Sequence, residues 1–502
     1  MHNTINLIPY PNGEVKLGPE LFVLGKEPGI ERPVEPYSFA IGQIQGWLTD
    51  KCHLVPTLVE AGQSSSIRFR KSNRNLPDEG YAIYVSPQGC ILEADSAAGA
   101  FYAFQTFKQL IDPKKRTIPC CEIHDSPSFS WRGLLLDATR TFCPLSEMLR
   151  LIDLSSSLKL NVLHLHLTDD QGWRIAIDAY PHLTDSSAQF YTKEDIREVV
   201  AYARDRDITI IPEIDMPGHF VAALASYPQF SCTGGPFTIP QGEGIFSELL
   251  CLGKDEALLF AERVIGEVCD LFPAQYIHLG GDETPLIRWK ECPDCQSRMQ
   301  ELGMKEETEL LCWFANAMAQ VAKGKGKTVI FWNDSIDEQY DPSIVCQIWN
   351  PLSSGSDTVG KRPLIMSHYF RTYLNLPHSM IPTRAAYHYG LVLNEDPTRK
   401  ASMLGAEYLL WTEHIHTRRK RDKHLFPRLA AGAETMWTDP SRLDLKRFSH
   451  TFSACNERLF NSPVTRTHPF FANPPRFYCT LRRYLQHQQV RYNSKKSGIT
   501  KS

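Results

Sequence analysis

Nowhere does the chain carry the run of about 18 apolar residues that a membrane-spanning helix needs. Its opening, Met1-His2-Asn3-Thr4-Ile5-Asn6-Leu7-Ile8-Pro9, has neither the positive region nor the sustained apolar core of a secretory signal. The sequence as written is therefore read as neither membrane-spanning nor exported, and a cytoplasmic location is expected. A dense Lys/Arg stripe is also missing, and with a formal charge of −3 there is no electrostatic reason to expect nucleic acid or an anionic membrane as partner. Only the tail, Lys495-Lys496 to Lys501, is locally basic, and it is expected to be a solvated terminus. Cysteine is sparse, at fourteen in 502 residues, and Cys269, Cys312 and Cys346 sit inside apolar runs that suit buried thiols. Cys292-Pro-Asp-Cys295 has the form of a metal or redox half-site. No second pair lies at zinc spacing, so its expected role is structural, and neither metal nor cofactor is expected. Internal repeats and low-complexity tracts are lacking as well.

What is present is an ordinary globular composition, 42% hydrophobic and 22% charged, enough for a large core and two or three domains. Residues 1–125 mix short alternating segments with one helix. Gly80-Tyr81-Ala82-Ile83-Tyr84-Val85, the turn Pro87-Gln88-Gly89 and Cys90-Ile91-Leu92-Glu93-Ala94 read as a hairpin. Ala97 to Ile111 places Ala100, Phe101, Phe104, Phe107 and Leu110 at helical spacing. A small α+β support domain without clustered catalytic residues is expected there.

From Trp131 the pattern becomes apolar strands separated by helical segments, the alternation of parallel strands with crossover helices. The candidates are Gly133–Ala138, Asn161–Leu167, Ile208–Ile214, Tyr276–Leu279, Thr328–Trp332, Ile344–Trp349, Pro363–Ser367 and Met403–Leu410. Eight such units predict a (β/α)₈ TIM barrel over residues 126–460. The long connection from Gly218 to Leu271, with Gly234-Gly235-Pro236 before its helix, is of a length that more often serves function than slack. Residues 461–502 are expected to add a helix, Arg476 to Gln489, on the barrel's side, and then a polar tail.

Catalytic groups of such a barrel stand where the strands leave its C-terminal face. Strand one enters as Trp131-Arg132-Gly133 and leaves with Asp137 and Arg140. Strand two runs out through His164-Leu165-His166-Leu167-Thr168-Asp169-Asp170-Gln171-Gly172-Trp173, and strand three through Pro212-Glu213-Ile214-Asp215-Met216-Pro217-Gly218-His219. Strand four delivers two adjacent acids in His278-Leu279-Gly280-Gly281-Asp282-Glu283-Thr284. The later exits carry Trp332 and Asp334, Trp349 and Asn350, Tyr369 with Tyr373-Leu374-Asn375, and Trp411-Thr412-Glu413. Acids, histidines and tryptophans converging on one mouth describe a sugar site. Aromatic faces pack on pyranose C–H faces, carboxylates accept hydrogen bonds from hydroxyls, and paired acids cleave glycosidic bonds. An acid held among aromatic walls beside a second carboxylate should have a raised pKa while its partner stays ionised.

As a set these blocks resemble those of family 20 glycoside hydrolases, the β-N-acetylhexosaminidases. The likeness covers most of residues 5–460, since the first domain also resembles the α+β domain that precedes the barrel in that family. The resemblance implies a retaining exo-enzyme that removes terminal β-linked N-acetylglucosamine, with N-acetylgalactosamine as a second candidate, from a glycan or glycoconjugate. It also implies substrate assistance, in which the 2-acetamido carbonyl attacks the anomeric carbon to give an oxazolinium intermediate. Carried over by position, the resemblance implies that Glu283 would be the general acid and then the base, Asp282 would orient the acetamido N–H and balance its charge, and Tyr373 would donate to the acetamido oxygen. Trp332, Trp349 and Trp411 become the pocket walls, and Arg132 with Glu413 would hold the 3-, 4- and 6-hydroxyls. Asp169 or Asp170 and His219 would touch a hydroxyl or support the groups that do. Where the family often has an Asp two residues after the tyrosine, this chain has Asn375, which keeps a hydrogen-bonding group but not the charge.

Three other readings are open to the residues. His164-x-His166 places two imidazoles on one strand face, with His219, His278 and acids nearby, which suits a metal-dependent barrel hydrolase. A catalytically silent sugar-binding barrel would keep the tryptophans but has no need of Asp282-Glu283 with Tyr373. A disaccharide-releasing or endo-acting member of the same family would differ only in loop shape.

Overall fold

Short apolar strands alternating with one-faced helices bury both sheet faces when the helices cover the outside and the sheet closes on itself. The computed structural model, which describes residues 5–32, 35–185, 187–242, 244–334, 336–350, 362–388 and 402–485, shows that solution. It has a smaller domain ahead of the barrel. Seven strands form one mixed sheet there: β1 (Val15–Val23), β2 (Gly29–Glu31), β3 (Thr57–Val59), β4 (Ile67–Arg70), β5 (Tyr81–Ser86), β6 (Gly89–Ala94) and β7 (Thr117–Asp125). Their order is β1-β7-β5-β6-β4-β2-β3. The predicted hairpin is β5 and β6, paired from Tyr81 with Ala94 to Ser86 with Gly89 around Pro87-Gln88.

The predicted helix spans Ala97–Leu110, capped by the Ser96 side chain accepting from Gly99 N. It is buried nearly all round, as a helix must be when it lies between two layers. One side packs on the sheet, and on the other Tyr102 meets the barrel's Trp437 edge-on at 5.3 Å between ring centres. A buried network joins the domains at the same seam. Lys159 Nζ donates to Asp125 Oδ2 (3.0 Å) and to the Tyr81 hydroxyl (2.6 Å), and Trp437 Nε1 donates to Asp125 Oδ1 (2.9 Å).

The barrel strands are β8 (Trp131–Asp137), β9 (Val162–His166), β12 (Thr209–Glu213), β13 (Tyr276–His278), β14 (Thr328–Trp332), β15 (Val345–Ile348), β16 (Leu364–Met366) and β17 (Met403–Leu410). A two-strand hairpin, β10 (Thr168–Asp169) with β11 (Gly172–Trp173), lies between β9 and β12. The eight close in the order β12-β13-β14-β15-β16-β17-β8-β9, and each overlaps its predicted segment.

Alternation along the strands fills the interior in layers. Trp131, Val162, Ile211, Ile330, Val345 and Ile365 form an apolar plug at the bottom. Leu135, Trp332, Leu409 and Tyr373 cluster near the top. Two residues along the strands from the plug lie charged and polar groups. His164 Nδ1 sits 3.0 Å from Glu407 Oε2 and its Nε2 sits 3.2 Å from Glu213 Oε2, while Gln347 Nε2 donates to Glu407 (2.9 Å). Gly133 makes room for this layer, since a Cβ there would lie 2.4 Å from Glu407 Cγ. Burial works against charge on His164, but Glu407 and Glu213 overcome it and lift its pKa to about 9. His166 is held by Glu213 (2.6 Å) and Asp169 (2.8 Å), so the imidazoles of the metal-dependent alternative already have carboxylate partners.

The last described helix covers 476–485, where Arg483 Nε and Nη2 donate to the Met380 carbonyl (2.9 and 2.6 Å). The rest of the expected helix to Gln489, and the basic tail, lie outside the described residues. No described helix is long and apolar enough to cross a membrane.

Candidate active site

Two glycines place the acid pair. Gly280 (φ +66°) and Gly281 (φ +85°) turn the chain as it leaves β13, and both are in the left-handed region where a side chain is strained. Space forbids one as well. A Cβ on Gly280 would lie 1.8 Å from Asp215 Oδ1, and one on Gly281 would lie 2.5 Å from the Phe331 ring. The turn is held by Gly281 N donating to Asp215 Oδ1 at 3.1 Å. Glu283 (φ +46°) and His219 (φ +49°) are non-glycine residues in the same region, the kind of local strain that collects at functional sites.

The turn aims both acids into a cavity of about 350 Å³ at the C-terminal end of the barrel. His219 connects its two halves. Its Nε2 is 4.0 Å from Asp282 Oδ2 and 3.9 Å from Glu283 Oε2, and its Nδ1 is 3.3 Å from both Asp169 Oδ1 and Asp170 Oδ2. Asp169 continues the chain to Arg140 Nη2 (2.5 Å), and Arg140 also donates from Nε to Gln171 Oε1 (3.0 Å) and lies over the Trp411 ring at 5.3 Å. Glu413 and Asn375 complete this rim.

Aromatic rings make the remaining walls. Tyr373 lies 4.8 Å from Tyr369, 6.3 Å from Trp349 and 6.5 Å from Trp411 between ring centres, and Trp349 is fixed by Nε1 donating to Asp334 Oδ2 (2.9 Å). Burial, then the charges of Asp282 and Glu283, push the Tyr373 pKa well above the usual phenol value. Its hydroxyl therefore stays a donor. Among the described residues Asp282 Oδ1 and Asn375 Oδ1 are buried without a hydrogen-bond partner, as expected of groups reserved for a ligand.

Most of the predicted site residues meet here: Asp169, His219, Asp282, Glu283, Trp349, Tyr373, Asn375, Trp411 and Glu413 all line the cavity. Three do not. Arg132 is the second residue of β8, so it lies at the opposite end of the barrel, where Glu79 (3.0 and 2.5 Å) and the Lys159 and Phe129 carbonyls (2.9 and 2.7 Å) hold it. The arginine at the mouth is Arg140, three residues past the strand's end. Trp332 is fully buried, donates to Glu213 Oε1 (2.8 Å) and packs at 6.3 Å from Trp411, and it is not among the residues lining the cavity. Asp170 is buried behind His219 and accepts from Val221 N (3.1 Å).

The acid pair also differs from expectation. Asp282, the partner expected to stay ionised, is pushed up to about 7 by its burial, with Asp334 and Glu283 raising it and His219 opposing. Depth explains this: the Asp282 side chain is 16% exposed and that of Glu283 is 37%. Asp215 and Tyr369 also line the cavity but are missing from the predicted set. Both stand on strand exits, and that position was their available signal.

The two arginines separate by experiment. Arg140→Ala is expected to lower kcat/KM about 10- to 100-fold, the scale of a charge-assisted hydrogen bond of about 1.5–3 kcal/mol. Arg132→Met, which strands Glu79 at a buried seam, should lower stability by about 3 kcal/mol and leave KM unchanged. Steady-state kinetics and urea unfolding of both variants check this, and a KM effect confined to Arg132 would reverse the placement.

A closed parallel barrel with paired acids, an aromatic wall and a charged rim at its C-terminal mouth defines a glycoside-cleaving hydrolase. The chain belongs to glycoside hydrolase family 20. Residues 129–440 match the family's catalytic domain (Glycosyl hydrolase family 20, catalytic domain) and residues 4–126 match its domain 2. A β-hexosaminidase of Porphyromonas gingivalis is 36% identical over 418 residues, which is 76% of this chain and 54% of that protein, so the chain spans about half that relative's length. A β-hexosaminidase of Akkermansia muciniphila is 30% identical over 438 residues, 80% of this chain and 88% of its own. Among solved structures, the family 20 exo β-N-acetylglucosaminidase of Vibrio harveyi in complex with N-acetylglucosamine superimposes with a TM-score of 0.83 at 28% identity, covering 93% of this chain and 78% of that one. The β-N-acetylhexosaminidase of Bacteroides fragilis gives 0.80 at 32% identity, covering 91% and 96%.

Proposed function

We propose that this protein is a retaining exo-β-N-acetylhexosaminidase that removes terminal non-reducing β-linked N-acetylglucosamine, with N-acetylgalactosamine the second substrate to test. The observation that carries this reading is the His219 imidazole within 4.0 Å of Asp282 and 3.9 Å of Glu283, which makes the two acids one unit beside the Tyr373 hydroxyl. Relatives of known structure support it, since the Vibrio harveyi protein is described as an exo-enzyme with N-acetylglucosamine bound.

In the proposed cycle Glu283 gives its proton to the glycosidic oxygen as the acetamido oxygen attacks C1 and the bond to the aglycone breaks. Tyr373 donates to the acetamido oxygen and orients it, and ionised Asp282 accepts from the acetamido N–H and balances the positive charge of the oxazolinium ring. Glu283, now a carboxylate, takes a proton from water, which attacks C1 and reopens the ring with net retention. Arg140, Glu413 and Asn375 take the sugar hydroxyls. At the rim, the neutral Asn375 replaces a charge that would repel an anionic substituent at C4 or C6. None of the thirteen described cysteines is in a disulfide, which supports the proposal of a reducing, cytoplasmic setting.

Nitrophenol release from the β-N-acetylglucosaminide, the β-N-acetylgalactosaminide and the plain β-glucoside tests the whole reading. Cleavage of N-acetyl substrates only, blocked by a thiazoline inhibitor, is expected. Hydrolysis of the plain glucoside at a similar rate would remove substrate assistance. No release from any of them would move the function to an endo-recognised glycan or to sugar binding alone.

A further inference from the structure

Four cysteines from three stretches of the chain meet where the loop after β12 packs on the segment after β13. Cys251 Sγ lies 3.7 Å from Cys292 Sγ and 3.6 Å from Cys295 Sγ, Cys232 Sγ lies 3.9 Å from Cys295 Sγ, and all four sulfurs fall within 4.8 Å of one another. We propose that Cys232, Cys251, Cys292 and Cys295 form a tetrathiolate zinc site that fastens the long loop after β12 to the helices after β13. The absence of a second pair at zinc spacing, which argued against a metal from sequence, is made good in space by Cys232 and Cys251.

Geometry favours a single tetrahedral ion. Metal–sulfur bonds of about 2.3 Å give tetrahedral edges of about 3.8 Å, and three of the six sulfur separations, 3.6, 3.7 and 3.9 Å, lie near that length. Cys251 faces two cysteines at once, and so does Cys295, whereas a disulfide pairs each sulfur with one other. The backbone is shaped to bring the four together. Ser231 pairs with Leu250 in an antiparallel bridge and Cys251 N donates to the Phe230 carbonyl (2.8 Å), which sets Cys232 beside Cys251. Cys292 precedes the helix Pro293–Leu302 and Cys295 is in its first turn. The two turns meet at Gly253, where a Cβ would lie 2.1 Å from the Asp294 carbonyl carbon and 2.3 Å from Cys295 N. Cys251, Cys292 and Cys295 are buried, and Lys254, anchored to the carbonyls of Gln229 (3.0 Å) and Ser231 (2.8 Å), brings a positive charge to the same turn.

Binding converts four thiols and Zn²⁺ into a zinc tetrathiolate of charge −2 and releases four protons, with no redox change. The role follows from what the loop carries. Gly244 and Ile245 on it line the catalytic cavity, and Arg288, from the helix after the acid pair, donates to Glu248 on it (2.5 Å). The metal would therefore hold two walls of the mouth in register.

The test starts with wild-type protein from zinc-replete cells, purified without chelator. Elemental analysis is expected to give one zinc per chain, and denaturing mass spectrometry without reductant to give the mass of the fully reduced chain. Protein refolded with cobalt should show the strong visible bands of tetrahedral cobalt and the near-ultraviolet thiolate charge-transfer bands. Cys251→Ser and Cys295→Ser should lose the zinc and the cobalt bands and melt at lower temperature, whereas Cys346→Ser should keep one zinc. Zinc below stoichiometry in wild type, iron in its place, or a chain lighter by the hydrogens of two disulfides would each overturn the proposal. The wild-type measurements decide even if the variants fail to fold.

Discussion

Glu283→Gln is expected to lower turnover of β-linked N-acetylglucosamine disaccharides by at least about 10²-fold, the scale of general acid–base catalysis. Glutamine keeps the size and the hydrogen-bonding reach of the side chain but has no proton to give the leaving oxygen and cannot take one from water. The residue is placed for both tasks. Its side chain stands at the cavity's open side, 3.9 Å from His219 Nε2, while the glycine turn beneath it fixes its direction. An aryl glycoside, whose phenolate leaves with little help, should lose less in the first step than a sugar aglycone does. Comparing the two substrates in pre-steady-state and steady-state assays separates the acid role from the base role. Turnover of the disaccharide near the wild-type rate would remove Glu283 from the assignment.

Asp282→Asn should be impaired about 10²- to 10³-fold, as for loss of one preorganised group at a developing charge. The amide fills the same volume and still reaches the acetamido group, but it carries no charge to offset the oxazolinium ring. Thiazoline affinity should fall in parallel, because the inhibitor resembles that ring. The pH dependence adds a second readout. The pKa of Asp282 in the free enzyme is pushed up to about 7, so its carboxylate is increasingly lost as pH drops below that value. Wild-type kcat/KM should therefore decline on the acid side of about pH 7, and the Asn variant should lack that limb. Normal hydrolysis of N-acetyl substrates by the variant would end the substrate-assisted scheme.

The chain's periodicity determined a good deal on its own. Eight apolar segments spaced by helices identified the barrel, because strand and helix periods are local properties of consecutive residues. Their exits then pointed to Asp282, Glu283, Tyr373, Trp349, Trp411 and Glu413, because a parallel barrel puts every strand's C-terminal end on one face. Tertiary structure decided what depends on distance along or between strands. Arg132 and Arg140 belong to one sequence block, yet seven-residue β8 separates the floor from the mouth, so one arginine braces Glu79 and the other faces the cavity. Which acid lies deeper is likewise set by the walls around it, and that depth raises the pKa of Asp282. The cysteine tetrad is the clearest case, since Cys232 and Cys295 are 63 residues apart and meet only because two loops above the barrel pack backbone to backbone at Gly253. Local pattern specifies which elements form; only the packing of remote segments decides which side chains share a volume.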